Sequence, residues 1–381
     1  MEGPRGVRPE EIESLHTLTD RVFRPEAVNP PVMAKQYPQL FNADNYDNLR
    51  VCVEDGICVS HVGLKAQDAY LFGCRIRTAC IGGVCTHPDF RKLGLATLCC
   101  DDAWRKAYEE GVDVMIVSGD RNLYRLRGCL RIGDDRVFSV TPETIPPALA
   151  ELSKTVTLTP LTEEELPLIM ECYRAEAVRF QRYPSDYRYL MQSRWAMNSP
   201  LDLWVIRERG EFRGYIFAKN PRGQSESNLV EFAGDRHAIL AALPELMRRY
   251  SLTNLHFQVQ RHDRQLRSLC EANGWEGTPR SASGTVALVN FPQLMERMRP
   301  RFEELIGVER TAQLRFSQEG EAYRFGLGGE EFTTDRDTAT RMVFGTLAGG
   351  EPALQGLGGA LGEVLRTILP LPTLWYGINY V

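Results

Sequence analysis

The chain has no Cys-x-x-Cys pair among its ten cysteines and no metal-ligand spacing among its six histidines, so no metal is expected. Most of the thiols (Cys52, Cys58, Cys74, Cys80, Cys85 and Cys99) fall in apolar strand or helix contexts, where cysteine acts as a small buried hydrophobe. Excess positive charge is missing too. Forty-five Lys and Arg against 50 Asp and Glu leave a net charge of −5, which gives no electrostatic footprint for DNA or RNA. No apolar run reaches the ~20 residues that span a bilayer, and the opening Met-Glu-Gly-Pro-Arg lacks the apolar core of a secretory signal. The expected location is cytoplasmic. The Gly-rich stretch from Gly345 to Gly362 has no Gly-Lys-Ser/Thr ending, which disfavours a nucleotide loop.

What is present is a foldable composition, 43% apolar and 25% charged, over 381 residues, a length that calls for two or three domains. The organising stretch runs from Ile81 to Cys129. An apolar run, Ile81 to Thr86, ends at Pro88, and Arg91-x-x-Gly94-x-Ala96 then opens a segment, Leu95 to Glu110, with Leu98, Ala103 and Ala107 at helical spacing. This is a strand, a turn and a helix start. Unpaired N–H groups and the positive end of the helix dipole make such a turn a holder for a phosphate group. A second buried strand, Val112 to Val117, ends at Ser118-Gly119, and the short amphipathic run around Tyr124 closes at Gly128-Cys129.

Around that stretch the pattern is α/β, with mixed α+β sheets. Residues 1 to 28 read as helical, and the proline-rich segment Arg24 to Asp44 as loop or broken helix. Leu49 to Val53 and Ile57 to Lys65 form a hairpin about Glu54-Asp55-Gly56, followed by strands Tyr70 to Ile76 and Ile81 to Thr86. Pro146 to Leu152 reads as a linker. A second block repeats the order: strands at 203–207, 213–218 and 229–233, a helix at 237–250, a strand at 255–259 and a helix at 265–272. Its matching turn, Gly234-Asp235-Arg236-His237-Ala238, lacks the Arg-x-x-Gly-x-Ala pattern. The last block begins with a helix from Leu294 to Leu305, passes through strands at 312–316 and 321–326, and ends in helices at 338–347 and 361–368 with an aromatic tail, Trp375, Tyr376 and Tyr380.

The Arg91-x-x-Gly94-x-Ala96 turn after a strand, followed by Tyr124-x-x-x-Gly128, resembles motifs A and B of the GNAT acetyltransferases. Cys129 departs from the aromatic that usually follows that glycine. The phrases Asn48 to Val51 and Ser60 to Gly63, together with the three-block order, resemble the Eis-type members. The resemblance implies two tandem GNAT-like domains and a sterol-carrier-protein-like one: a catalytic domain at 1–150, a degenerate one at 151–290 and the closing domain at 291–381. It implies acetyl-CoA as cosubstrate, with the pyrophosphate on Arg91, Lys92, Leu93, Gly94, Leu95 and Ala96, and pantetheine along Val84, Cys85 and Thr86 and near Ser118. Tyr124 would protonate the departing thiolate.

For the base, the same resemblance points to the carboxylate of Val381, with a water relay or the side chains of Glu54 or His61 left open. The activity implied is N-acetyl transfer to a primary amine of a cationic, aminoglycoside-like small molecule or to lysine, in a homo-oligomer that in this family is often a ring of six. An idle acyl-CoA or lipid-binding sensor is the reading from another class.

Overall fold

The computed structural model describes residues 1–26, 29–282, 284–347 and 350–381, so Ala27 and Val28 of the expected loop and Ala348 and Gly349 of the Gly-rich stretch lie outside the described residues. Contacts divide the chain into two units. One comprises Met1–Ile132, Ser283–Leu371 and Tyr380–Val381; the other comprises Gly133–Ala282 and Pro372–Asn379.

The first unit is built on β1 (Glu2–Gly6), β2 (Leu49–Glu54), β3 (Ile57–Leu71), β4 (Cys74–Thr86) and β5 (Val114–Val117), joined in that order and completed by the strand Thr285–Leu288. The sheet is mixed: β4 and β5 run parallel while the other neighbours are antiparallel. Its helices begin with α1 (Ile12–Phe23), α2 (Met33–Gln36), α3 (Leu95–Glu109) and α4 (Asn122–Arg125). Leu95, Cys99, Cys100, Ala103 and Ala107 on α3 join Val62, Leu64, Ala79, Ile81, Met115 and Val117 of the sheet in one buried cluster. The apolar stripe of α3 is thus set by Cys99 and Cys100. Leu98, read as part of it, is 48% exposed. Among the described residues all ten cysteines are free thiols and nine are buried.

Later residues of this unit form a separate antiparallel sheet, Leu314–Glu319, Ala322–Leu327 and Glu330–Thr334. Phe291 packs on it, with its ring 5.0 Å from Phe325 and 5.4 Å from Tyr323.

The second unit holds an eight-stranded sheet in the order Thr278–Arg280, Asp135–Val140, Asn254–Val259, Glu226–Gly234, Glu211–Lys219, Ser199–Glu208, Val156–Pro160, with the short strand Trp195–Ala196 pairing beside Ser199–Glu208. Helix Arg236–Tyr250 covers it with Ile239, Leu240, Leu243, Leu246 and Met247. Strand Asp135–Val140 falls inside the stretch 1–150 yet pairs in this sheet, and Thr285–Leu288 falls inside 151–290 yet pairs with β5.

Several local expectations change. Residues 1 to 28 open with a strand, because β1 pairs with β2, an edge that a propensity reading of Gly3 and Pro4 disfavours. The expected strand Tyr70 to Ile76 is a hairpin turn: Phe72 (φ 51°) and Gly73 (φ 84°) are both left-handed, and a phenylalanine in the first place hides a turn that Asp55-Gly56 announces. The expected linker Pro146 to Leu152 is helix Pro147–Ser153. The expected helix Leu294 to Leu305 is two, Phe291–Arg297 and Arg299–Ile306, divided just before Pro300, which cannot donate the next backbone bond. Helix Pro184–Ser193 had no counterpart in the reading.

Asp113, just before β5, is fully buried; it accepts from the Arg77 amide at 2.7 Å and pairs with Arg297 at 2.5 Å. Burial nevertheless pushes its carboxyl up to about 6. A folded value above the unfolded ~3.9 means that stability present at low pH is lost as pH rises through 6. The free-energy difference between Asp113→Asn and the parent should therefore move in the variant's favour by about 2 kcal/mol between pH 4 and pH 7. Urea titrations at each pH read it; a constant difference would contradict the assignment.

Candidate active site

At the end of β4 the chain makes the turn singled out above. His87, Pro88, Asp89 and Phe90 form a short 3-10 turn, Arg91 is extended, and Lys92 (φ 66°) and Gly94 (φ 78°) are left-handed on either side of Leu93. No atom lies within 4 Å of where a side chain on Gly94 would begin, so glycine is needed for its dihedral rather than for space. Gly94 is the N-cap of α3 and offers no side chain to it, and no acidic residue stands in the first turn. The leading amides of a 15-residue helix therefore point outward without a carboxylate cap, beside exposed Arg91 and Lys92. Such a turn attracts an anion.

The strand-to-helix turn of the second unit is different. There Asp235 accepts from Ala238 N, and Glu176 takes two bonds from Arg236 at 2.8 and 2.6 Å. The chain's own Asp235 caps this helix start.

Strands β4 and β5 pair over four residues only, Thr78 to Ile81 with Val114 to Val117. Strand β5 stops there while β4 runs on to Thr86, with β3 on its other side. The β3–β4 register shifts between His61 and Gly63, where β4 carries one extra residue; Gly83 has φ 63°. This is a β-bulge, which bends the strand away from its neighbour. Buried His61 holds it, donating from Nδ1 to the Gly83 carbonyl at 2.8 Å. Burial pushes the imidazole down to about 4, so at neutral pH the ring is uncharged.

On this stretch lies the end of the chain. A methyl group on Gly82 would stand 2.4 Å from the Val381 carboxyl carbon, so Val381 lies directly over Gly82. Gln39 Nε2 donates to the Tyr380 carbonyl at 2.9 Å, and the Tyr37 and Tyr380 rings are 6.2 Å apart.

Tyr124 stands on α4, one turn after β5, with its ring against Gly119. Its side chain is buried, and among the described residues its hydroxyl has no protein partner. Burial first, then nearby Cys100 and Cys129, push the phenol up to about 12. It stays protonated through the neutral range.

The topology thus gathers the expected residues at one edge. Val84, Cys85 and Thr86 end β4, Arg91 to Ala96 make the turn and first helical residues, Ser118 follows β5, and Tyr124 follows Ser118 by six residues. Val381 stands over β4 as described. Of the other bases left open, Glu54 is tied to the Met1 amino group at the β2–β3 turn, and His61 is enclosed behind the bulge. The Cys85 and Cys129 thiols are pushed up to about 12 by burial and are poor nucleophiles.

Reading the chain missed Gly82 and Gly83, although a Gly-Gly pair inside a strand signals a bulge or close backbone approach. It also missed Thr285, whose Oγ1 donates to the Gly119 carbonyl at 2.9 Å and steadies the residues before Tyr124. Nothing local announced that one.

Residues 4–130 match the acetyltransferase (GNAT) domain family. An acyltransferase domain therefore occupies this part of the chain. No curated protein sequence matches. Solved structures similar to the chain include a GCN5-related N-acetyltransferase from Anabaena variabilis, with 14% identity and a TM-score of 0.63. A probable N-acyltransferase from Enterococcus faecalis has 14% identity and a TM-score of 0.64, and Eis1 from Mycobacterium abscessus has 13% and 0.59. In all three the match covers 96% of this chain and 96% of the other. The likeness establishes a shared fold.

Because Gly82 leaves no room for a methyl group under Val381, Gly82→Ala must displace the terminal residue without straining β4. Amide hydrogen exchange at Tyr380 and Val381 should quicken at least ~10-fold, with β3 and β4 still protected. Unchanged exchange would mean that the close approach does not persist in solution.

Proposed function

We propose that the protein is an acetyl-CoA-dependent N-acetyltransferase acting on a primary amine of a cationic small molecule, aminoglycoside-like, or on a lysine side chain. The reading rests above all on a protonated, unpartnered Tyr124 following a strand that parts from β4, whose continuation is the uncapped Gly94 turn. In the same reading the chain is two tandem GNAT-like domains and a sterol-carrier-protein-like one. The second of these takes no acetyl-CoA, since Asp235 caps the corresponding helix start and Glu176 pairs with the Arg236 side chain beside it.

The amides of the α3 start, with Arg91 and Lys92, would hold the pyrophosphate. Pantetheine would lie along Val84 to Thr86 as an added strand. A backbone N–H near Cys85 or Thr86 would face the oxyanion formed when the amine attacks the thioester carbonyl. As the tetrahedral adduct collapses, the C–S bond breaks, the new C–N bond remains, and Tyr124 gives its proton to sulfur. A phenol near 12 does not spontaneously protonate a free thiolate whose acid has a pKa of ~8.5. The transfer must accompany C–S cleavage, with the amine's own proton restoring the phenol. The Val381 carboxylate would attract the cationic acceptor and take, through water if need be, the separate ammonium proton that must leave before the amine can attack.

Tyr124→Phe should keep acetyl-CoA affinity, measured by calorimetry, and lower turnover with an amine panel by ~10²-fold or more. Equal turnover would remove Tyr124 from the role. Residues added after Val381 should lower turnover as well, and full activity in such a protein would exclude the carboxylate. If acetyl-CoA binds but no aminoglycoside, polyamine, arylamine or lysine peptide accelerates CoA release, the sensor reading takes over.

A further inference from the structure

In the second unit, strands Glu226–Gly234 and Asn254–Val259 run parallel but pair over only three residues, Glu226 to Asn228 with Asn254 to His256. Beyond Asn228 they part, and the segment Pro372–Asn379 is bonded to the residues there. Trp375 Nε1 donates to the Val230 carbonyl at 2.5 Å, and Gln260 Nε2 donates to the Thr373 carbonyl at 2.9 Å. Deeper in lies an ion pair: Arg182 meets Glu231 through two bonds of 2.6 Å, both residues being 4% exposed.

That pair is not closed on itself. Glu231 Oε2 accepts from the Ile378 amide at 3.1 Å, and Arg182 Nε donates to Asn379 Oδ1 at 2.8 Å. Tyr215 donates to Glu231 at 2.8 Å, and the Arg182 guanidinium lies 3.7 Å from the centre of the Tyr173 ring. Gly377 (φ 51°) passes so close that a methyl group on it would stand 1.8 Å from Glu231 Oε2. A buried ion pair is a weak source of stability compared with apolar packing, and its attested use is to fix one arrangement over others. Here the arrangement it touches is the tail.

We propose that Arg182 and Glu231 are positioning residues: the buried pair is the receptor for segment Pro372–Asn379, held where the two parallel strands part. Asn379 is the last residue that the second unit holds, and the two that follow belong to the first unit, ending over Gly82. The pair's consequence for turnover rests on the role given to Val381 above; the grip itself does not.

The test uses the full chain with two changes confined to the tail. Gly377→Ala forces the backbone off Glu231, and Asn379→Leu removes the acceptor facing Arg182 while keeping its size. Hydrogen exchange of peptides covering 372–379 should quicken at least ~10-fold in both, with the sheet peptides of 203–207 and 213–218 unchanged. Asn379→Asp, which keeps an oxygen for Arg182, should restore slow exchange. Turnover should fall in the two loosened variants with acetyl-CoA affinity retained, and recover in Asn379→Asp. Unchanged tail exchange in both variants overturns the grip, whatever the turnover. A loosened tail with full turnover upholds the grip and instead removes Val381 from catalysis.

Discussion

The short parallel pairing of β4 with β5 is the constraint on which the first unit depends. Four residue pairs join the strands, and then β5 ends while the bulge at Gly83 bends β4 aside. A sheet whose strands part exposes backbone N–H and C=O groups that must find partners. Pairing with an extended ligand answers that need at low conformational cost, since the strand is already held by β3 on its other edge. The buried neutral imidazole of His61 supports the bulge from behind. Helix α3 begins beyond the parting, so that in the proposed reading a phosphate end and a strand-like arm of one ligand would have adjoining partners.

The second unit repeats the device with different chemistry. Its parallel pair is shorter still, and the corresponding helix start is capped by Asp235, with Glu176 paired to the Arg236 side chain beside it. Carboxylates at a helix N-terminus satisfy the same amides and dipole that a phosphate would. Its strand edge is bonded to Pro372–Asn379 instead, through backbone groups and one buried ion pair. One unit thus has strands that part beyond a short pairing, and the other bonds the corresponding edge to its own chain.

What was legible beforehand followed from local chemistry. Asp55-Gly56 forms a primed turn because both residues tolerate a left-handed backbone, so the β2–β3 hairpin could be read directly. Phe72-Gly73 makes the same turn with a residue that gives no such signal, so its pattern along the chain is that of a strand. Pro147 at a helix start looked like a linker for a related reason, since proline punctuates both loops and helix beginnings. The Arg91 to Ala96 turn was readable because its geometry needs a particular residue at a particular place, a left-handed Gly94 before an apolar stripe.

The anion-attracting turn and the alternation of β2 and β3 could be read along the chain, because each depends on residues within a few positions of one another, and the resemblance of Tyr124-x-x-x-Gly128 to a known motif singled out the tyrosine. That Thr285–Leu288 closes the first sheet, that Glu54 pairs with the amino terminus while His61 is walled in, and that Val381 lies over Gly82 emerges only from the folded chain. So does the meeting of Arg182, Glu231 and Asn379, across separations of 49 and 197 positions. Such contacts are fixed by the packing of whole elements, and that packing leaves no periodic or spaced signature along the chain.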